Sequence, residues 1–358
     1  MTPHINIERH SGARMKPDLW KLYRQMLKSR VFERKVVQFW EKGLISGEMH
    51  SGLGEEAIAA GTVDHLQEGD AMALDHRGTP PLIMRGIDMA ALLHEFLGNP
   101  EGLCAGWGGH MHLFSRKHLT ASSGIVGASG PLASGFALAL QHLRPGKLAL
   151  AFFGEGALNQ GMLLESFNLA SVWRLPVLFV CKDNSLAITT DSSSVTGGAI
   201  PDRIKGFGIP FVEVDGSDVE AVWEAGYETT KYIRGGKGPC FIHARCVHLE
   251  GHFLGDPLLG ITRDPLKQAK QRSGPLLKSI AKGKGVSFTE KLKGMKKISA
   301  LVIKASKQSK KGHDPVALTR KSLLGEKNKL LGLEEEVKTE IEKKISEVLD
   351  TQKEEMLP

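Results

Sequence analysis

Apolar residues along this chain fall into two kinds of pattern. Two short continuous runs, Lys147–Phe153 and Leu175–Cys181, are separated by a stretch of helical spacing from Gln160 to about Trp173. Runs of that length predict buried strands, and an intervening helix makes the pair parallel. Similar signals recur on both sides. Pro17-Asp18 opens a helix to about Lys42 with Leu19, Leu22 and Met26 on one stripe. A second helix lies within Gly52–Leu66, and Asp88 caps a third that ends at Gly98. Residues 99–130 are glycine-rich and read as loop. Pro131 begins a helix whose Leu132, Phe136, Leu140 and Leu143 are spaced for burial. After a loop over 191–209, strand Phe211–Val214, helix Val219–Arg234 (opened by Asp218, closed by Gly235-Gly236) and strand Pro239–Arg245 follow. Asp314-Pro315 opens a helix-like stretch, and Leu333–Leu349 is an acidic amphipathic helix.

Strands alternating with helices predict an α/β fold with a doubly wound, mostly parallel sheet, flanked by N- and C-terminal helices. The 41% hydrophobic content supports a substantial core, and 41 glycines with 6% aromatics fit many tight turns. No apolar run approaches the length of a membrane span, and the N-terminus shows no signal-peptide core. Cys104, Cys181, Cys240 and Cys246 show no CxxC spacing. Reduced thiols in a cytoplasmic protein are therefore expected.

Charge redraws the domain boundaries. The formal net charge is +7, yet residues 265–313 alone carry fourteen Lys or Arg and one acid, so the rest is near −6. The expected organisation is a main domain over 1–263, a basic, partly disordered insertion over 264–313, and C-terminal helices over 314–358 that return to the main domain. An acidic partner could bind the insertion. Phe288 is its only aromatic, which argues against nucleic-acid stacking.

The chemistry concentrates where the two central strands end. In a parallel sheet both turns emerge at the carboxyl edge, where α/β folds bind ligands. Gly154-Glu155-Gly156 and Asp183-Asn184 should therefore meet. A carboxylate, a carboxamide oxygen and nearby carbonyls suit a hard cation such as magnesium with a phosphorylated ligand. Gly154 and Gly156 leave room for that ligand.

This stretch resembles the thiamine diphosphate signature. With Asn159-Gln160-Gly161, Glu165, Phe167-Asn168 and Leu175-Pro176, it resembles the alpha subunits of thiamine diphosphate-dependent 2-oxo acid dehydrogenases, of the pyruvate, branched-chain and acetoin types. The likeness runs from about Lys16 to Pro257 and returns weakly at the C-terminus. It implies a thiamine diphosphate-binding fold and a set of roles. Glu155, Asn184 and the Leu186 carbonyl would bind Mg2+. Gly154, Gly156, Ala157, His76 and Arg77 would hold the diphosphate, and Gly124 and Val126 the aminopyrimidine ring. His50 and His252 would be the catalytic histidines, with His252 also at the diphosphate and His112 at a further family position. His110-Met111-His112 lacks a third ligand and is not read as a metal site.

The same resemblance implies partners: a beta subunit in a heterotetramer, which supplies the glutamate that activates the cofactor, and a lipoyl-bearing acyltransferase. The substrate would be a small 2-oxo acid or acetoin; no membrane or nucleic-acid partner is implied. Several positions depart from the family pattern. Glu155 replaces an aspartate, Asp183 an asparagine, and His248 an arginine; Gly78-Thr79-Pro80 lacks a second histidine. Phe253 stands where mitochondrial pyruvate enzymes carry a regulatory serine, so this position has no hydroxyl to phosphorylate. These departures keep open an alternative, a catalytically impaired cofactor-binding homologue with a structural or regulatory role.

Overall fold

The computed structural model describes residues 16–188, 190–255 and 313–355, together with 287, 289, 290 and 293. A seven-stranded sheet forms the centre. In chain order its strands are β1 (Ala71–Leu74), β2 (Phe114–Ser115), β3 (Thr120–Ser122), β4 (Ala149–Gly154), β5 (Val177–Asp183), β8 (Phe211–Asp215) and β9 (Cys240–Arg245). A small hairpin, β6 (Leu186–Ala187) and β7 (Thr190–Asp191), stands apart. The spatial order is β2-β3-β1-β4-β5-β9-β8, parallel throughout except for the β2–β3 edge pair. The expected doubly wound, mostly parallel α/β sheet is therefore present.

Each central strand splits its side chains between two cores, as a period of two requires. Leu150 and Phe152 of β4 and Leu178 and Val180 of β5 enter one cluster. Ala149, Ala151 and Phe153 of β4 and Val177, Phe179 and Cys181 of β5 enter the other. Both faces are thus apolar, which explains the unbroken hydrophobic runs. On the second face Phe167 and Phe179 meet edge to face, with centroids 4.8 Å apart at 86°. Such a pair contributes roughly 0.5–1.5 kcal/mol beyond its burial.

The helices are α1 (Leu19–Glu41), α2 (Glu56–Val63), α3 (Thr79–Met84), α4 (Met89–Phe96), α5 (Ser129–Leu143), α6 (Gly161–Trp173), α7 (Ile200–Gly206), α8 (Val219–Arg234), α9 (Pro315–Ser322) and α10 (Lys327–Glu355). Asp18, Asp88, Asp218 and Asp314 each cap a helix through the side chain, satisfying N–H groups the helix itself cannot. Asp314 does more. Its two oxygens take a forked pair of hydrogen bonds from Arg30, at 2.9 and 3.0 Å. Arg30 Nε also donates to Glu56. One buried guanidinium thus ties α1 and α2 to the start of α9, so the C-terminal helices open at Asp314-Pro315.

Three expectations need correction. Residues 99–130 contain β2 and β3, and 191–209 contain α7. The buried face of α5 is formed by Ala133, Ser134, Ala137 and Leu140, whereas Leu143 is 79% exposed. Small residues let α5 lie close on the sheet; Leu140 is buried with them and Leu132 and Phe136 are half-buried against the second cluster, so of the expected stripe only Leu143 turns away. The four cysteines are free, three of them buried. Among the described residues no helix is long and apolar enough to cross a membrane. Asp256-Pro257, Asp264-Pro265 and nearly all of the basic segment lie outside the described residues.

Candidate active site

β4 and β5 run in register, with Gly154 opposite Lys182. The turns that leave them therefore face each other at the carboxyl edge. Glu155 begins a 3-10 turn, Glu155–Asn159, which precedes α6. An added Cβ on Gly156 would stand 2.9 Å from the Ala187 side chain, so glycine lets this turn seat against β6. Ser185 and Ile188 hold left-handed φ values of 61° and 57° in the facing loop. Holding a non-glycine residue there costs about 1–3 kcal/mol and persists only where the surrounding structure enforces it, as is common at ligand sites.

Between these turns lies a cavity of about 290 Å³. The proposed cation ligands Glu155, Asn184 and Leu186 line it, as do Gly154, Gly156, Ala157, His76, Arg77, Val126 and His252. His50 and Gly124 are not on its wall. His50 stands behind it, with its ring 4.5 Å from that of His76 and 5.1 Å from that of His252. Gly124 backs onto Met111 and His112; an added Cβ would lie 3.3 Å from the His112 ring.

Glu155 is buried and accepts a 2.6 Å hydrogen bond from Ser192 Oγ. Burial pushes its carboxyl up to about 7; Ser192 opposes the shift, the Asp183 charge adds to it, and the Asn184 backbone N–H lowers it. Glu155 is thus an acid short of positive charge, as a cation ligand is before its ion arrives. Asn184 Oδ1 accepts from the Leu186 N–H at 2.9 Å, and Nδ2 faces His248 Nδ1 at 2.7 Å. Asp183 is anchored from β9, 2.7 Å from His243 Nε2.

The cavity floor holds charges that the sequence did not single out. Lys182 Nζ donates to Glu55 at 2.6 Å and to Asp75 at 3.0 Å. Burial alone would raise both acids. Lys182 overcomes it at Asp75, and Lys182, His248 and Arg77 together overcome it at Glu55, so both carboxyls are held below the usual range. Burial would lower Lys182, but its two acids raise it, so the cluster is ionised. The available signal was a lysine at the carboxyl end of an otherwise apolar strand, VLFVCKD.

Arg77 is 3% exposed. It donates to the Ser51 carbonyl at 2.6 Å and to the His252 carbonyl at 2.5 Å. It therefore clips the His50 and His252 loops together as well as facing the cavity. The same loops are joined by Leu249 N–H to Leu53 O at 3.1 Å and Leu254 N–H to Met49 O at 2.8 Å. His50, His76 and His252 each offer a ring nitrogen within 4.8 Å of the others. Burial, followed at His50 and His252 by Arg77, pushes all three down to about 3. They are neutral imidazoles, able to donate or accept at neutral pH. His76 Nε2 is buried with no hydrogen-bond partner among the described residues. His110, read as non-ligating, stands 3.3 Å from His50 Nδ1.

The chain is similar to known proteins over most of its length. The family model described as dehydrogenase E1 component matches residues 23–318. The alpha subunit of acetoin:2,6-dichlorophenolindophenol oxidoreductase from Cupriavidus necator is 42% identical over 243 residues, covering 67% of this chain and 73% of that protein. Its counterpart in Bacillus subtilis is 38% identical over 248 residues, covering 69% and 74%. The pyruvate dehydrogenase E1 component subunit alpha of Rhizobium meliloti is 35% identical over 286 residues, covering 79% and 82%. With a match that spans the sheet, the cavity and the start of the C-terminal helices, the chain belongs to the dehydrogenase E1 component family.

Proposed function

We propose that this chain is the alpha subunit of a thiamine diphosphate- and Mg2+-dependent dehydrogenase. It would act on a small 2-oxo acid or on acetoin and pass the acyl group to a lipoyl carrier. The observation that carries the reading is one buried carboxylate, Glu155, left short of positive charge on the wall of a cavity it shares with Asn184 and Leu186. That donor set is oxygen-rich and hard, as Mg2+ requires.

The residues named for the site then divide the work. Glu155, Asn184 Oδ1 and the Leu186 carbonyl hold the ion. Gly156 and Ala157 would present backbone N–H groups to the diphosphate, and His76 and Arg77 would hold it with them; His76 Nε2, without a hydrogen-bond partner among the described residues, suits such a ligand. Val126 on the wall, and Gly124 off it beside Met111 and His112, would border the aminopyrimidine. Thiamine diphosphate, when bound, supplies the carbon nucleophile and stores the electron pair released on decarboxylation. His252 on the wall, and His50 behind it, would as neutral imidazoles donate hydrogen bonds to oxygen where charge develops.

The beta partner follows from the alpha subunits among the relatives, and with it an inactive chain when alone. Co-expression with a beta subunit, followed by a panel of pyruvate, branched 2-oxo acids and acetoin, tests the reading. Cofactor-dependent turnover of one of them is expected. Failure to bind thiamine diphosphate with Mg2+ would overturn it.

A further inference from the structure

Asn184 can serve a cation only if its carboxamide oxygen stays turned toward the ion. Three contacts behind it decide this, and the polarity of the first fixes that of the other two. The Leu186 N–H can only donate, so the atom 2.9 Å away is Asn184 Oδ1. The Asn184 NH₂ then faces His248, 2.7 Å from Nδ1. An NH₂ group can only donate, so Nδ1 carries the lone pair. The proton of the neutral ring therefore sits on Nε2, which lies 2.7 Å from Glu55 Oε1. The other Glu55 oxygen is taken by Lys182 at 2.6 Å. In the opposite tautomer, two donors would meet at Asn184 and two lone pairs at Glu55. Flipping the amide to relieve the first clash would set its NH₂ against the Leu186 N–H.

We propose that His248 is a positioning residue for cation binding, its tautomer set by Glu55 and its Nδ1 holding the Asn184 carboxamide with the oxygen toward the ion. The proposal rests on the reading of the cavity as a thiamine diphosphate–Mg2+ site. It gives a role to two residues of the same cavity, Glu55 and His248, to which that reading assigns none. Partners of this kind, one shell behind a metal, typically change affinity 10- to 100-fold when removed.

Two measurements test it. In the full chain labelled with ¹⁵N-histidine, long-range ¹H–¹⁵N spectra report which His248 nitrogen carries the proton, with His248→Gln supplying the assignment. Nε2–H is expected; Nδ1–H overturns the proposal. Mg2+ is then titrated into the alpha–beta complex at saturating thiamine diphosphate. His248→Leu should weaken Mg2+ about 10- to 100-fold. His248→Gln, whose amide places an acceptor and a donor one atom apart as imidazole does, should stay near wild type. Equal Mg2+ affinity in wild type and His248→Leu overturns the proposal while leaving the functional reading intact. A wild-type complex that binds no Mg2+ overturns that reading, and the proposal with it.

Discussion

Ser192 Oγ donates a 2.6 Å hydrogen bond to Glu155 Oε1 across 37 residues of sequence. Glu155 is one methylene longer than the aspartate expected there, and magnesium tolerates little distortion. Ser192 begins a short turn capped by Asp191 and fixes the longer acid from outside. Ser192→Ala should weaken Mg2+ in the alpha–beta complex about 10-fold and change stability by no more than ~1.5 kcal/mol. Calorimetric Mg2+ titration and thermal unfolding check both halves; unchanged Mg2+ affinity would contradict the assignment.

Lys182 neutralises Glu55 and Asp75 in a buried pocket. Lys182→Met leaves two buried carboxylates without their ammonium partner and should cost about 3–5 kcal/mol. Adding Glu55→Gln should recover part of this loss, because one unpaired charge is removed. Chemical denaturation of the single and double variants gives the coupling; a single-variant loss below ~1 kcal/mol would contradict an ionised cluster.

Gly54 has φ +104°, and an added Cβ would lie 1.9 Å from the Val247 carbonyl oxygen. The His50 and His252 loops can approach only over a glycine. Gly54→Ala should cost about 1–3 kcal/mol and separate the loops. Amide exchange should then quicken at Leu249 and Leu254, whose N–H groups bridge them. Unchanged protection there would contradict the close approach.

Glu33 is buried, and its carboxyl is pushed up to about 8 by burial, against the opposing hydrogen bond from the Gly52 N–H, with the Glu56 and Glu55 charges adding to the rise. A raised folded value favours folding in acid: the contribution is complete below the unfolded value near 4.5 and is lost as pH rises through about 8. Each tenfold difference in proton affinity between the folded and unfolded chains is worth roughly 1.4 kcal/mol. Glu33→Gln should flatten the stability profile between those limits. Unfolding free energies measured across that range check this, and an unaltered slope would contradict it.

Much of the cavity wall was legible because its parts are local. Gly154-Glu155-Gly156 and Asp183-Asn184 end two strands whose apolar runs are unmistakable, and four aspartates mark helix starts by their own side chains. The rest depends on contacts that local pattern does not encode. β1 is four residues, AMAL, buried on both faces, so it shows no alternation. β2 and β3 are two and three residues long at the sheet edge. Lys182 meets Glu55 and Asp75 across 127 and 107 residues, and nothing near any of them in sequence announces the meeting. On α5 the apolar spacing marks the right side of the helix through Leu140, with Leu132 and Phe136 half-buried, but close packing centres the buried face on Ala133 and Ala137 and leaves Leu143 outside.

Titration of thiamine diphosphate into the alpha–beta complex, with and without Mg2+ and in wild type beside Glu155→Gln, tests the cation site most directly. Wild type should bind the cofactor in a Mg2+-dependent manner, and Glu155→Gln should lose Mg2+ affinity by more than about 100-fold, beyond what an outer partner accounts for. Equal Mg2+-dependent binding by both proteins would contradict a site in which Glu155 holds the ion.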